Sequence, residues 1–256
     1  MVSFKTTPAH RLITTSRPPS IIRLTTSHTR PYHSIYHPQP AAFPPAQAQI
    51  LSHALKQVPQ HGFTPTALTT GAKSAGYLEI STQLLPRGVY DLINYYLVTQ
   101  RLTLHERIQF PASEAQKITT TDKIRALCWA RLQANADTGI LPHWPQALAE
   151  MSLLGNIPAS LLELGHLADE IWYLAGDTAV DFSWYTRRAS LAAVYASTEL
   201  FMTTDTSVGF ERTREFLDRR LVDARVVGGA VGGVSQFTGF WARGGLGLAR
   251  AWGMKV

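Results

Sequence analysis

Apolar side chains recur along most of this chain at intervals of three and four residues, the spacing that places them on one face of an α-helix. Ile50, Leu51, Ala54, Leu55 and Val58 form the first such stripe. His61-Gly62-Phe63 ends it, and Thr64-Pro65 opens a short helix over 67–75 that Gly76 closes. A second short apolar piece, 78–85, stops at Leu85-Pro86-Arg87-Gly88. A long helix follows, with Val89, Leu92, Ile93, Tyr96 and Leu97 on one face. Downstream, the threonines at 119–121 can cap a helix over 122–136. His143-Trp144-Pro145 opens one that runs through Met151, and Asn156-Ile157-Pro158 opens another that reaches Ala175 before Gly176. Asp181 can cap a helix through Phe201, and a last one spans about 210–227. No run alternates as a strand would and nothing repeats, so the pattern predicts an all-α protein.

The stretch 169–195 breaks the monotony of leucine stripes. Trp172, Tyr173, Trp184 and Tyr185 fall there among Asp169, Glu170, Arg187 and Arg188. Aromatic rings beside charge are the composition of a docking surface, since Trp, Tyr and Arg carry most contact energy at interfaces. The same run also reads as two helices that turn their aromatics into a core.

Charge divides the chain into three. The net charge is +6, yet no acid precedes Glu79 and none follows Asp223, so the excess sits in the two ends. A basic globular nucleic-acid binder would carry it on the folded body instead. Residues 1–40, with Lys5, Arg11, Arg17, Arg23, Arg30 and many hydroxyls, have the composition of a mitochondrial transit peptide. A proline-rich linker, 38–47, follows, and 41–227 is expected to be the folded domain.

Residues 228–256 hold nine glycines and no acid. On a helical wheel Val234, Phe237, Trp241, Leu248 and Trp252 share one face, with Arg243 and Arg250 opposite, the pattern of a helix lying in a membrane interface. Each glycine costs about 0.8–1 kcal/mol of helix propensity relative to Ala. Such a segment is expected to order on a lipid surface rather than in water.

No catalytic constellation emerges. The single cysteine, Cys128, lies in the stripe of Ile124, Leu127 and Leu132 and reads as a buried thiol. Glu163 and His166 make one Glu-x-x-His pair, where a bundle di-iron site needs two, so the pair reads as a solvated helix face. No metal and no cofactor is expected.

Two resemblances follow from particular residues. The order of elements over QILSHALKQVPQHGFTPTALTTGAKSAGYLEISTQLL, 49–85, resembles the helix-turn-helix unit of TetR-type regulators. A DNA-reading third helix needs positive charge for phosphates, and here STQLLPRG, 81–88, has no basic residue before Arg87. The expectation is a TetR-like helical bundle with a degenerate helix-turn-helix and a C-terminal amphipathic helix. A TetR-type DNA-binding regulator is the alternative reading.

The run from His143 to Tyr195, above all DFSWYTRR at 181–188, together with ILSHALKQVPQHGFTPTALTTGAKSAG and LLPRG, resembles the lipid-binding accessory proteins of ubiquinone biosynthesis, the ninth of the coenzyme Q series, in their fungal form. The resemblance covers about 45–227. It implies a non-catalytic homodimer on the matrix face of the inner mitochondrial membrane, without nucleic acid. It further implies an isoprenoid or phospholipid ligand, and presentation of a quinone precursor to the di-iron hydroxylase of the coenzyme Q biosynthetic complex. By that resemblance Asp169, Ile171, Asp181, Trp184 and Tyr185 form the partner patch, and the C-terminal helix is the membrane contact. Leu127, Trp144, Leu148 and Tyr195 are the residues expected to line the lipid pocket.

Overall fold

The computed structural model describes residues 42–110, 118–177 and 183–229. In chain order the helices are α1 (Pro45–Leu55), α2 (Val58–His61), α3 (Pro65–Ser74), a 3-10 turn (Glu79–Leu84), α4 (Val89–Leu102) and α5 (Leu104–Arg107). There follow α6 (Thr120–Asp137), a 3-10 turn (Leu141–His143), α7 (Trp144–Met151), α8 (Ile157–Leu174), α9 (Ser183–Met202) and α10 (Glu211–Gly229). Among the described residues there is no strand.

Local chemistry sets the boundaries. The first apolar stripe splits in two because Pro59 has no N–H to give and its ring collides with the carbonyl four residues back. Thr64 accepts the Ala67 N–H and Thr119 accepts the Asp122 N–H, each filling a first-turn donor. α8 ends at Gly176, whose φ of 89° is left-handed and free of strain only in glycine. The second apolar piece is not an α-helix. It makes one 3-10 turn in which Leu85 turns inward while Leu78, Ile80 and Leu84 face solvent.

Two apolar clusters form. In the first, Ile50, Leu51 and Ala54 of α1 meet Ala67, Leu68 and Ala72 of α3, Leu92, Ile93 and Tyr96 of α4, and Trp144 and Ala147 of α7. α1 and α3 approach so closely at Gly71 that a Cβ there would fall on the Ala54 backbone. In the second, Leu104 of α5, Ile124, Leu127, Cys128 and Leu132 of α6, Leu167 and Ile171 of α8, Leu191, Val194 and Tyr195 of α9, and Leu217 and Leu221 of α10 interlock. Cys128 is fully buried, and burial pushes its thiol pKa up to about 12. Phe201 and Phe216 stack at 4.7 Å and join α9 to α10. Among the described residues, no helix is long and apolar enough to cross a membrane.

Candidate functional site

The end of α8 and the start of α9 bring the aromatic residues of the central stretch together around two arginines. Trp184 and Tyr185 meet edge to face at 4.7 Å. The Arg188 guanidinium lies 3.8 Å from the Trp184 ring centre, and its Nε donates to Asp169 Oδ1 at 2.6 Å. Arg188 also reaches Asp177 at 3.7 Å, and Arg187 donates to the same carboxylate at 3.3 Å from beside the Trp172 ring. Arg188 is itself buried, so α8 and α9 are fastened to each other by charge on a low-dielectric footing. Outside this fastening Tyr185 is 73 % and Tyr173 72 % exposed. Tyr185 packs on the Trp184 ring that Arg188 covers, and a ring held in this way loses little entropy on meeting a partner.

The structure thus unites Asp169, Trp184 and Tyr185. Ile171 is fully buried in the second cluster, where it seats α8 and offers no contact surface. Asp181 lies outside the described residues, as do Val234, Phe237, Trp241, Arg243, Leu248, Arg250 and Trp252.

The four expected pocket residues divide between the two apolar clusters. Leu127 and Tyr195 pack in the second cluster, whereas Trp144 and Leu148 belong to the first. The period of a helix marks a residue as inward-facing but does not say which neighbours it meets. Trp144 and Tyr195 are nevertheless linked by a buried polar chain that periodicity passed over. Trp144 packs on Tyr96 at 5.5 Å, Tyr96 Oη donates to Asn135 Oδ1 at 2.7 Å, and Asn135 Nδ2 donates to Glu199 Oε1 at 3.1 Å. Tyr195 Oη donates to that same oxygen at 3.0 Å, and Arg131 Nη1 donates to Asn135 Oδ1 at 2.9 Å. Burial raises the pKa of Tyr195 well above its ordinary value, so its hydroxyl keeps the proton it donates. The available signal was Arg131 and Asn135, polar residues one turn apart on an apolar stripe.

Glu163 corrects the reading of its Glu-x-x-His pair as a solvated face. It is buried, and Arg101 Nε of α4 donates to it at 2.6 Å. Burial by itself raises its carboxyl pKa; His166 and Arg101 more than offset this and hold it below the usual range. Among the described residues, no cluster of three or more His, Cys, Asp or Glu has the arrangement of a metal site.

A separate cleft of about 490 Å³ opens between α5, α6 and α10. Ile108 and Trp129 give it apolar surface over the buried Leu217, and Arg107, Arg125 and Arg214 stand around it with Asp122 and Asp137.

Fold and site together define a TetR-like helical protein with an aromatic corner between α8 and α9. The TetR transcriptional regulator of Nitrosomonas europaea superposes with a TM-score of 0.54 at 15 % identity, over 71 % of this chain and 99 % of that one. That likeness is one of fold. A COQ9 family model matches residues 157–228. The mitochondrial ubiquinone biosynthesis protein coq9 of Schizosaccharomyces pombe is 40 % identical over 181 residues, 71 % of this chain and 70 % of that protein. The human mitochondrial protein COQ9 is 38 % identical over 188 residues, 71 % of this chain and 58 % of the human one. The chain belongs to the COQ9 family of ubiquinone biosynthesis proteins.

Proposed function

We propose that this protein is a non-catalytic accessory factor of ubiquinone biosynthesis. It holds an isoprenoid, quinone-precursor or phospholipid at the matrix face of the inner mitochondrial membrane and presents the precursor to the di-iron hydroxylase. The observation that carries this reading is the α8–α9 corner, where Tyr173 and Tyr185 project from a charge-locked base. Such a corner has the chemistry of a protein-docking surface. Residues 1–40 serve as the presequence, 41–227 as the lipid-holding domain working as a homodimer, and 228–256 as the glycine-rich hinge and membrane helix. Val234, Phe237, Trp241, Leu248 and Trp252 enter the interface, with Arg243 and Arg250 toward headgroups.

The DNA-binding alternative is disfavoured by the turn that follows α3. The turn Glu79–Leu84 has no Lys or Arg and exposes Leu78, Ile80 and Leu84. A duplex contact there would lack the cations that phosphates need.

Tyr185→Ala is expected to weaken capture of the hydroxylase at least tenfold, as loss of a docking hot spot does, with unfolding unchanged. Capture at wild-type strength would remove the corner from the proposal. A salt-dependent shift of duplex DNA by the 41–256 fragment would restore the regulator reading instead.

A further inference from the structure

The cleft between α5, α6 and α10 has a lining divided by chemistry. Its apolar lining belongs to the second apolar cluster: Ile108 and Trp129, both part-exposed, pack against that cluster above the buried Leu217. The three arginines around it are not equivalent. Arg107 donates to Asp137, itself part of the lining, at 3.2 Å; Arg125 donates to Asp218 at 2.6 Å and also pairs with Asp122 of the lining, so both carry counter-charge. Arg214 pairs with no carboxylate among the described residues; its guanidinium lies 5.8 Å from the Trp129 ring centre. An arginine held against an indole keeps its N–H donors directed outward, ready for two parallel bonds to one anionic group.

We propose that this cleft binds a single-headed anionic amphiphile. Its chain lies on Ile108 and Trp129, and its carboxylate or phosphate is taken by Arg214. The proposal rests on the lipid-holding reading above and assigns that reading a place and a head chemistry. An apolar lining alone would accept any chain, whereas an arginine beside it with no carboxylate of its own among the described residues favours a charged head. Neutral chains therefore bind the same lining more weakly, and a free anion without a chain gains too little to be held.

Titration calorimetry on the full chain tests this with four probes below their micelle points: oleoyl lysophosphatidate, oleate, monooleoylglycerol and inorganic phosphate. The first two are expected to saturate at one per subunit, with the phosphate and carboxylate arms deciding which head fits better. Monooleoylglycerol should bind about tenfold more weakly, as the loss of a charge-assisted contact predicts. Inorganic phosphate should not saturate. Arg214→Gln, at an exposed position, should weaken both anionic probes about tenfold and leave monooleoylglycerol unchanged. Ala126→Leu, which fills the cleft, should weaken all three chains. Chains that bind tightly but ignore charge, Arg214→Gln and Ala126→Leu would overturn the cleft assignment and leave lipid holding intact. Failure of every chain to bind the wild-type protein would overturn both.

Discussion

The two apolar clusters are made of similar helices and are held by different forces. Around α1, α3 and α7 the packing is dry: Trp144 is clasped edge to face by Phe63 at 5.9 Å and Tyr96 at 5.5 Å, and Gly71 lets two backbones touch. The buried charges among the described residues, Arg131, Glu163, Arg188 and Glu199, all lie on α6, α8 or α9. The half that contains α1 and α3 is specified by volume. The half that presents the aromatic corner is specified by charge, which fixes partners more narrowly than apolar contact does.

The comparison breaks most severely at Trp144. Trp144→Ala should cost about 3–5 kcal/mol in urea unfolding, since a rigid dry cluster cannot collapse into the space left. A loss below about 1 kcal/mol would mean that the first cluster is not volume-limited. Next is Glu199→Ala, which strands Arg131 without the carboxylate nearest its network and should cost about 3 kcal/mol. Replacing both by apolar residues of similar volume, Arg131→Met with Glu199→Leu, should restore most of that loss. If the double variant is no better than the single one, charge is not what organises this region.

Acid sharpens the contrast further. Glu163 and Asp205 both have lowered folded-state pKa values, Asp205 about 2. Burial would raise Asp205, but hydrogen bonds from Thr213 and Ser207 prevail. A depressed carboxyl contributes stability that is complete above its unfolded value and lost as pH falls through the folded one. The contribution of the α8–α10 half should therefore be lost from about pH 4.5 downward, while the Trp144 cluster is insensitive. Hydrogen exchange of α3 against α10 at pH 3 would read this directly. The smallest effect is at Cys128. With its pKa near 12, the thiol should react with a disulfide reagent only on unfolding, and Cys128→Ala should cost about 1 kcal/mol.

Local signals told most about this fold. Thr64, Thr119 and Gly176 act where their side chains or backbone freedom imply, because a cap needs only neighbours a few residues away. The aromatic corner was legible for a related reason, since its members fall in one stretch, with Asp169 and Arg188 19 residues apart. Burial of Glu163 was not, since its partner Arg101 is 62 residues distant and a helix face looks the same whether water or another helix lies against it. The cleft was invisible to periodicity because Arg214 and Trp129 come from helices that the sequence does not pair.

Lys73 and Glu79 form an exposed ion pair at the entrance to the 3-10 turn. Lys73 is thereby partnered by an acid of the same end, beside exposed Leu78, Ile80 and Leu84. The lysine of α3 is thus already answered within the molecule. An anion approaching this edge meets the Glu79 carboxylate together with the ammonium, so the edge presents a dipole rather than a positive patch.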